Sequence, residues 1–410
     1  RLKHLHKLHL LPERKYSYHW VLQDIAQNCP KLRELKIIYD GDCLMEENGI
    51  SILQNCKYLQ AIWFFNYGRR SETGSVCQLL KMLPTLKILF HKELPNAILE
   101  LTQGEERTWN YYVADASRTT DMCCLDSLDY TRTYELQSEA LSSLSLERVD
   151  LCWYQAGIGY QSIYIPSSYL LRVAQTCPNI SILNLIGSTC LRQIISRLPK
   201  LQVIILQQTS FATSLRCALK GNSLDKLTVL RLSDVWDITY DMMSYLAQSC
   251  SSLQVLSISC SSLQARGRLV YPSRRAPYPS LRHLILTPST LECRPALTAP
   301  SAWHLGKNLL KYILKDAFSI KTVHVQLKDD ELPVEDIPTS SDLEEVFASK
   351  KESMTEILLE WPPHISPDFV ANIVEGCPKL SKLGEVTTWP LTHEQCANII
   401  TGFHHVIDIS

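Results

Sequence analysis

The chain has 410 residues, of which 45% are hydrophobic and 20% charged, which excludes a wholly disordered protein. Forty-one basic and 42 acidic side chains leave a net charge of −1, so no global field draws the chain to nucleic acid or to an anionic membrane. Fourteen glycines are few for phosphate-cradling loops, and 15 cysteines are an odd number that no complete disulfide framework uses up.

The first predicted element is a strand in which Leu5, Leu8 and Leu10 follow an L-x-x-L-x-L pattern. A helix comes next. Leu22, Ile25, Ala26 and Cys29 stand at i, i+3, i+4 and i+7, which places them on one helical face. Pro30 then acts as a stop signal, because proline cannot continue the helical ladder. Leu32, Leu35 and Ile37 follow, and the last two alternate as a strand with one buried face should.

This unit of helix, stop and strand recurs. Its second copy is Gly49, Ile52, Leu53 and Cys56, then Leu59, Ile62 and Phe64. Its third is Leu170, Val173, Ala174 and Cys177, then Ile180, Leu183 and Leu185. Met243, Leu246, Ala247 and Cys250 lead to Leu253, Leu256 and Ile258, and Val370, Ile373, Val374 and Cys377 lead to Leu380 and Leu383. The strand pattern without the cysteine starts again at Leu86, Leu125, Leu146, Leu201, Leu227, Leu281, Ile320 and Met354, and weakly at His404. Most starts lie about 24–28 residues apart, a period that signals a repeat protein.

No single unit buries both its helix face and its strand face, but stacked units do. The expected architecture is therefore α/β. Residues 1–410 form a single solenoid of about 15 repeats, a curved horseshoe with parallel strands on the concave face and helices on the convex face. Irregular insertions are expected near 92–122, 264–280, 287–303 and 328–342. No stretch has the composition of a membrane helix: the longest uncharged window, Leu151 to Leu171, carries Gln155, Gln161 and Pro166.

The best single copy is L-T-V-L-R-L-S-D-V-W-D-I-T-Y-D-M-M-S-Y-L-A-Q-S-C, residues 227–250. It resembles the cysteine-containing leucine-rich repeats of F-box/leucine-rich-repeat proteins, whose signature places Ile-Thr-Asp before the helix. Ile238 and Thr239 match, and Tyr240 intervenes before Asp241. The resemblance implies the substrate-recognition part of an SCF-type ubiquitin ligase receptor. Its protein substrate would sit on the concave face, and an F-box would dock the cullin-ligase adaptor. No F-box-like stretch occurs here; the chain begins at Arg1 rather than methionine, so that module is expected upstream. The alternative is a leucine-rich-repeat scaffold or regulatory interaction module with no ligase link.

Positions three, five and seven of each strand pattern should face the concavity. The position-five row runs His9, Lys36, Trp63, Phe90, Asp129, Asp150, Asn184, Ile205, Arg231, Ser257, Ile285, His324, Leu358, Gly384 and Asp408. That variety suits a protein-binding face and not the uniformly basic groove that nucleic acid needs. Trp63, Phe65 and Phe90 on neighbouring strands read as interface anchors, or as a cluster covered by an inserted loop. Asp129, Arg148 and Asp150 form a mainly acidic patch, or ordinary solvated surface. Residues 264–280 carry Arg266, Arg268, Arg274 and Arg275 and read as a solvated loop or as a docking loop for an acidic partner or phosphate. Residues 328–345 are acidic and read as a solvated loop leading into a helix near Leu343 to Phe347.

Catalytic patterns do not emerge. Cys123 and Cys124 are adjacent rather than spaced as a C-x-x-C motif. On the first strand His6 and His9 flank Leu8 and lack a cysteine or carboxylate at metal spacing; neither this cluster with His4 nor that of His393, His404 and His405 is expected to supply the three or four convergent ligands zinc needs. No nucleotide, hydrolase or zinc-protease motif occurs. The expectation is a non-enzyme with no metal or cofactor. Its repeat cysteines would serve as compact buried hydrophobes, which suits a reducing cytoplasm or nucleus.

Overall fold

The computed structural model describes residues 2–10, 18–39, 53–66, 73–84, 86–91, 94–103, 148–151, 173–186, 195, 197–207, 224–235, 238–260, 263–264, 270, 277–288, 307–315, 317–326, 339–348, 350–360, 366–384, 392, 394 and 408–409. Two compact units divide the chain, Arg1–Leu201 and Gln202–Ser410. In the first, the elements are β1 (Lys7–Leu10), α1 (Tyr18–Asn28), β2 (Glu34–Tyr39), β3 (Ala61–Asn66), α2 (Thr73–Met82), β4 (Ile88–Phe90), α3 (Leu94–Gln103), β5 (Arg148–Leu151) and β6 (Ile182–Ile186). In the second they begin with β7 (Val203–Gln207), β8 (Val229–Val235), β9 (Ile238–Thr239), α4 (Tyr240–Ser249), β10 (Val255–Cys260), β11 (Leu263–Gln264) and β12 (His283–Pro288). There follow α5 (Lys307–Leu314), β13 (Thr322–Gln326), α6 (Ser340–Ala348), β14 (Glu356–Glu360), α7 (Pro367–Gly376), β15 (Lys382–Gly384) and β16 (Asp408–Ile409).

Both units are mixed α/β with parallel strands laid side by side in chain order. In the first unit β1 pairs β2, β2 pairs β3, and the series continues to β6. In the second, β7, β8, β10, β12, β13, β14, β15 and β16 pair in that order, while β9 and β11 make a separate two-stranded ribbon. The apolar pattern decides which side of each strand is covered. Leu35 and Ile37 are buried while Glu34 and Lys36 are half-exposed, and Val323 and Val325 alternate with Thr322, His324 and Gln326 in the same way. Helices bury one stripe each, such as Phe369, Val370, Ile373 and Val374 of α7, and these buried faces form the core.

Backbone hydrogen bonds explain why one turn keeps recurring. The Cys29, Cys177, Cys250 and Cys377 amides each donate to the carbonyl four residues back, closing the helix. Each cysteine carbonyl then accepts from the first apolar residue of the strand pattern, as Leu32 N–H does from Cys29 at 3.1 Å and Leu253 N–H from Cys250 at 3.2 Å. Two residues into the pattern, one carbonyl accepts two amides from the next unit: His6 serves Arg33 and Glu34, and Gln254 serves Arg282 and His283. Among the described residues, β2, β3, β4, β8, β10, β12, β13, β14 and β15 enter the sheet in this same way.

The thiol is not needed for this geometry. Leu83, Leu198, Leu224, Tyr278 and Ala317 stand where cysteine stands elsewhere, and Lys350 occupies the matching turn one residue earlier, four before Met354; all are buried. Leu86, Leu201, Leu227, Leu281 and Ile320 bond to the carbonyls of the first five as their counterparts do to cysteine. Lys350 keeps its ammonium satisfied by donating to the Val346 carbonyl at 2.5 Å, because an unpaired buried charge would be costly.

Several expectations need correction. β4 pairs directly with β5, Ile88 opposite Arg148, which leaves no place between them for a strand starting at Leu125. The insertion placed at 92–122 includes α3, which packs on α2 and buries Leu94, Ala97 and Ile98. The stretch placed at 264–280 ends in ordered structure, with Pro277 and Tyr278 buried. β12 extends to Pro288, inside the region assigned to the next insertion, and α6 begins at Ser340 rather than after 342. The final unit is displaced: Asp408 pairs with Lys382 and Ile409 with Leu383. Its pattern therefore starts at Val406, which is apolar as the first position requires, and not at His404.

Helix α6 owes its start to a capping box. The Thr339 hydroxyl accepts from Asp342 N–H at 3.3 Å, and the Asp342 carboxylate accepts from Thr339 N–H at 3.1 Å and its hydroxyl at 2.7 Å. Lys311 reaches the same carboxylate at 3.1 Å. Partial burial pushes the Asp342 carboxyl up, but the Thr339 donors and Lys311 outweigh it and bring it down to about 2. A carboxylate lowered in the folded state adds stability above its unfolded value near 4 and loses it as pH falls toward 2. Asp342→Asn should therefore cost about 1–2 kcal/mol near neutrality, and urea denaturation should show the gap from the native chain narrowing between pH 5 and pH 2.

Candidate interaction surfaces

The sheet side opposite the helices carries the half-exposed rows. In the first unit, one row runs His9, Lys36, Trp63 and Phe90 in direct register. Trp63 is half-buried. Phe65 pairs with Ile38; the side chains of Phe65 and Phe90 lie outside the described residues. At the row's start, Glu34 bridges Lys7 at 2.8 Å and His9 at 3.2 Å. The hydrogen bond from Lys7 holds the Glu34 carboxyl below the usual carboxylate range; burial opposes it, and His9 assists.

Arg148 sits between Ile88 and Ile182, and Asp150 faces Asn184, which is buried. The Arg148 and Asp150 side chains and all of Asp129 lie outside the described residues, as do Arg266, Arg268, Arg274 and Arg275. The basic segment is located by Val270 alone. Its N–H donates to the Ser244 hydroxyl of α4 at 2.8 Å, and its carbonyl accepts from the Tyr312 hydroxyl of α5 at 2.9 Å. Both anchors are helical, so the segment is tied at that point to the helices and not to the sheet.

In the second unit, Val203, Val229 and Val255 give way along one row to His283, Thr322, Glu356, Lys382 and Asp408. The adjacent row runs Ile205, Arg231, Ser257, Ile285, His324, Leu358 and Gly384. Half-exposed aliphatic residues here alternate with single polar ones. His283 contacts the Thr322 hydroxyl at 3.1 Å. Burial and the nearby Lys321 push its imidazole toward the neutral form, and Glu356 opposes them.

A further surface escaped the sequence pattern. A groove of about 420 Å³ runs along the turns that enter β12 to β15, lined by Arg282, Phe318, Lys321, Glu352 and Lys379 among others. The available signal was basic residues at equivalent solvent-facing turn positions of successive units, Arg282 and Lys321. A period of two sorts strand residues by face but carries no information about which turns come together.

The repeat cysteines offer no reactive thiolate. Cys29, Cys56, Cys77, Cys177, Cys250 and Cys377 are free and buried. Burial pushes Cys56 up to about 11 and Cys177 and Cys250 to about 12, and a protonated thiol is a poor nucleophile. Among the described residues, no three His, Cys, Asp or Glu side chains gather to hold a metal ion, and no helix is long and apolar enough to cross a membrane.

No protein-family model matches the chain, and no curated protein matches it. Among solved structures it is similar to a chain described as the Toll–Spatzle complex, a molecular hub in Drosophila development and innate immunity. The identity is 14% and the TM-score 0.37, and the match covers 84% of this chain and 38% of that one.

Proposed function

We propose that each unit is a stretch of leucine-rich-repeat solenoid whose sheet face binds a protein. The supporting observation is the in-register row of varied, half-exposed side chains, aromatic and basic at Lys36 and Trp63 and aliphatic and polar from Ile205 to Leu358. Such a face offers large apolar anchors beside single polar groups, the composition of a protein interface. In this reading the chain carries out no catalysis, takes no cofactor, and works in the cytoplasm or nucleus, where its thiols stay reduced.

The resemblance of residues 227–250 to F-box/leucine-rich-repeat proteins extends the proposal. The chain is the substrate-holding part of an SCF-type ubiquitin ligase receptor, and the cullin-ligase adaptor binds elsewhere on the full-length protein. Co-precipitation of the full-length protein tests both levels. It should recover the adaptor and the cullin. A Trp63→Ala, Phe90→Ala double change should reduce substrate recovery about tenfold while adaptor recovery stays level. Substrate capture without any adaptor would replace the ligase reading with that of a scaffold. Loss of the native melting transition in the double variant would make these two residues core.

A further inference from the structure

We propose that the groove entering β12 to β15 is a docking site for an extended acidic peptide that carries an apolar side chain. This site is separate from the sheet face and does not depend on the ligase reading.

Its cations come from different turns. Arg282 precedes β12, Lys321 precedes β13, and Lys379 precedes β15. All three are exposed, and none forms an ion pair with a described residue. Their backbones are held firmly. The Arg282 carbonyl accepts from Lys321 and Thr322, and the Lys321 carbonyl accepts from Thr355 and Glu356. Two of the lining hydroxyls are already used: Thr355 donates to the Lys321 carbonyl at 3.1 Å and Ser353 to the Lys350 carbonyl at 3.1 Å. The groove therefore presents positive charges on anchored backbone, with Ser319 as an exposed hydroxyl among them.

Spacing selects the ligand. Neighbouring strands lie about 4.8 Å apart, so Arg282 and Lys321 are about one spacing apart, and Lys379 lies about two spacings further on and two residues earlier in its unit's pattern. A single phosphate group needs donors converging on one point, and cations on three separate turns suit it less than carboxylates spread along an extended peptide. Phe318 is 59% exposed within the groove, and covering its ring with an apolar side chain would remove apolar surface from water. Glu352 also lines the groove. Its carboxylate repels a uniformly anionic strand such as a nucleic-acid backbone, and it requires a neutral or basic residue opposite β14.

The test uses fluorescence anisotropy on the whole chain with labelled (Asp-Asp-Leu)3, (Asn-Asn-Leu)3 and (Asp-Asp-Ser)3 peptides and a labelled twelve-residue oligothymidylate. The first peptide should bind, and affinity should fall about tenfold when Lys321→Glu and Lys379→Glu are combined. Phe318→Ser should weaken it about fivefold, as (Asp-Asp-Ser)3 should relative to the parent peptide. Glu352→Gln should tighten it about two- to threefold, a gain that misfolding does not produce. Equal binding by all variants, no binding of (Asp-Asp-Leu)3 at millimolar concentration, or preference for the oligonucleotide would overturn the proposal.

Discussion

Replacing Tyr278 by alanine should lower the stability of the Gln202–Ser410 unit by about 3–5 kcal/mol. Tyr278 is fully buried and stands edge-on to Tyr312, with ring centroids 6.4 Å apart at 89°. Its hydroxyl donates to the Met243 carbonyl of α4 at 2.8 Å, and its own carbonyl accepts from Leu281 at the strand entry. One side chain therefore ties the turn to α4 and packs against α5. Burial also pushes the phenol well above its ordinary range, which favours the protonated hydroxyl as the donor. Tyr278→Phe keeps the ring and loses only one hydrogen bond, a cost of about 1 kcal/mol. Thermal and urea denaturation of both variants would measure the difference. A loss below 1 kcal/mol for the alanine variant would mean that the turn is held by other groups.

Leu256→Ala is expected to cost about 2–5 kcal/mol. Leu256 pairs in register with Leu230 on one side and Leu284 on the other, and all three are wholly buried. Truncation opens a cavity that neither neighbour fills, because both backbones are fixed by the ladder. Ser257, one residue later, points to the opposite side and is half-exposed. Ser257→Ala should change stability by no more than about 0.5 kcal/mol. Equal losses at the two positions, measured by urea denaturation, would show that the face assignment of β10 is wrong.

Much of the repeating architecture was readable before any coordinates. The period of the leucines located most strands, and the spacing of Cys29, Cys250 and Cys377 marked helix ends that the structure closes with i to i−4 hydrogen bonds. The Ile238-Thr239 pair had a physical meaning: Ile238 is buried, and the Thr239 hydroxyl caps α4 by accepting from Met242 N–H. What misled was weak periodicity. Leu125 lies outside the described residues, in the stretch joining two strands that pair directly with each other, and His404 was two residues out, since a lone apolar match does not reveal its strand partner.

The candidate surfaces were legible only in part. The sequence named the row through Lys36, Trp63 and Phe90, because a strand period of two sorts side chains by face. It did not show that Tyr278 does the work of a cysteine, nor that Lys350 lies buried in the matching turn before Met354. Those roles depend on how much volume neighbouring helices leave and on which carbonyls are within reach.

Local spacing and chain connectivity are enough for the alternation, the helix stops and the parallel succession of strands. The pairing of β4 with β5, the anchoring of Val270 to two helices, and the gathering of Arg282, Phe318, Lys321 and Lys379 along one groove emerge from the folded chain alone. The reason is physical. Residues far apart in the chain become neighbours when register stacks their turns about 4.8 Å apart, and that register is set by buried packing and shared carbonyls rather than by the exposed residues that come to lie side by side.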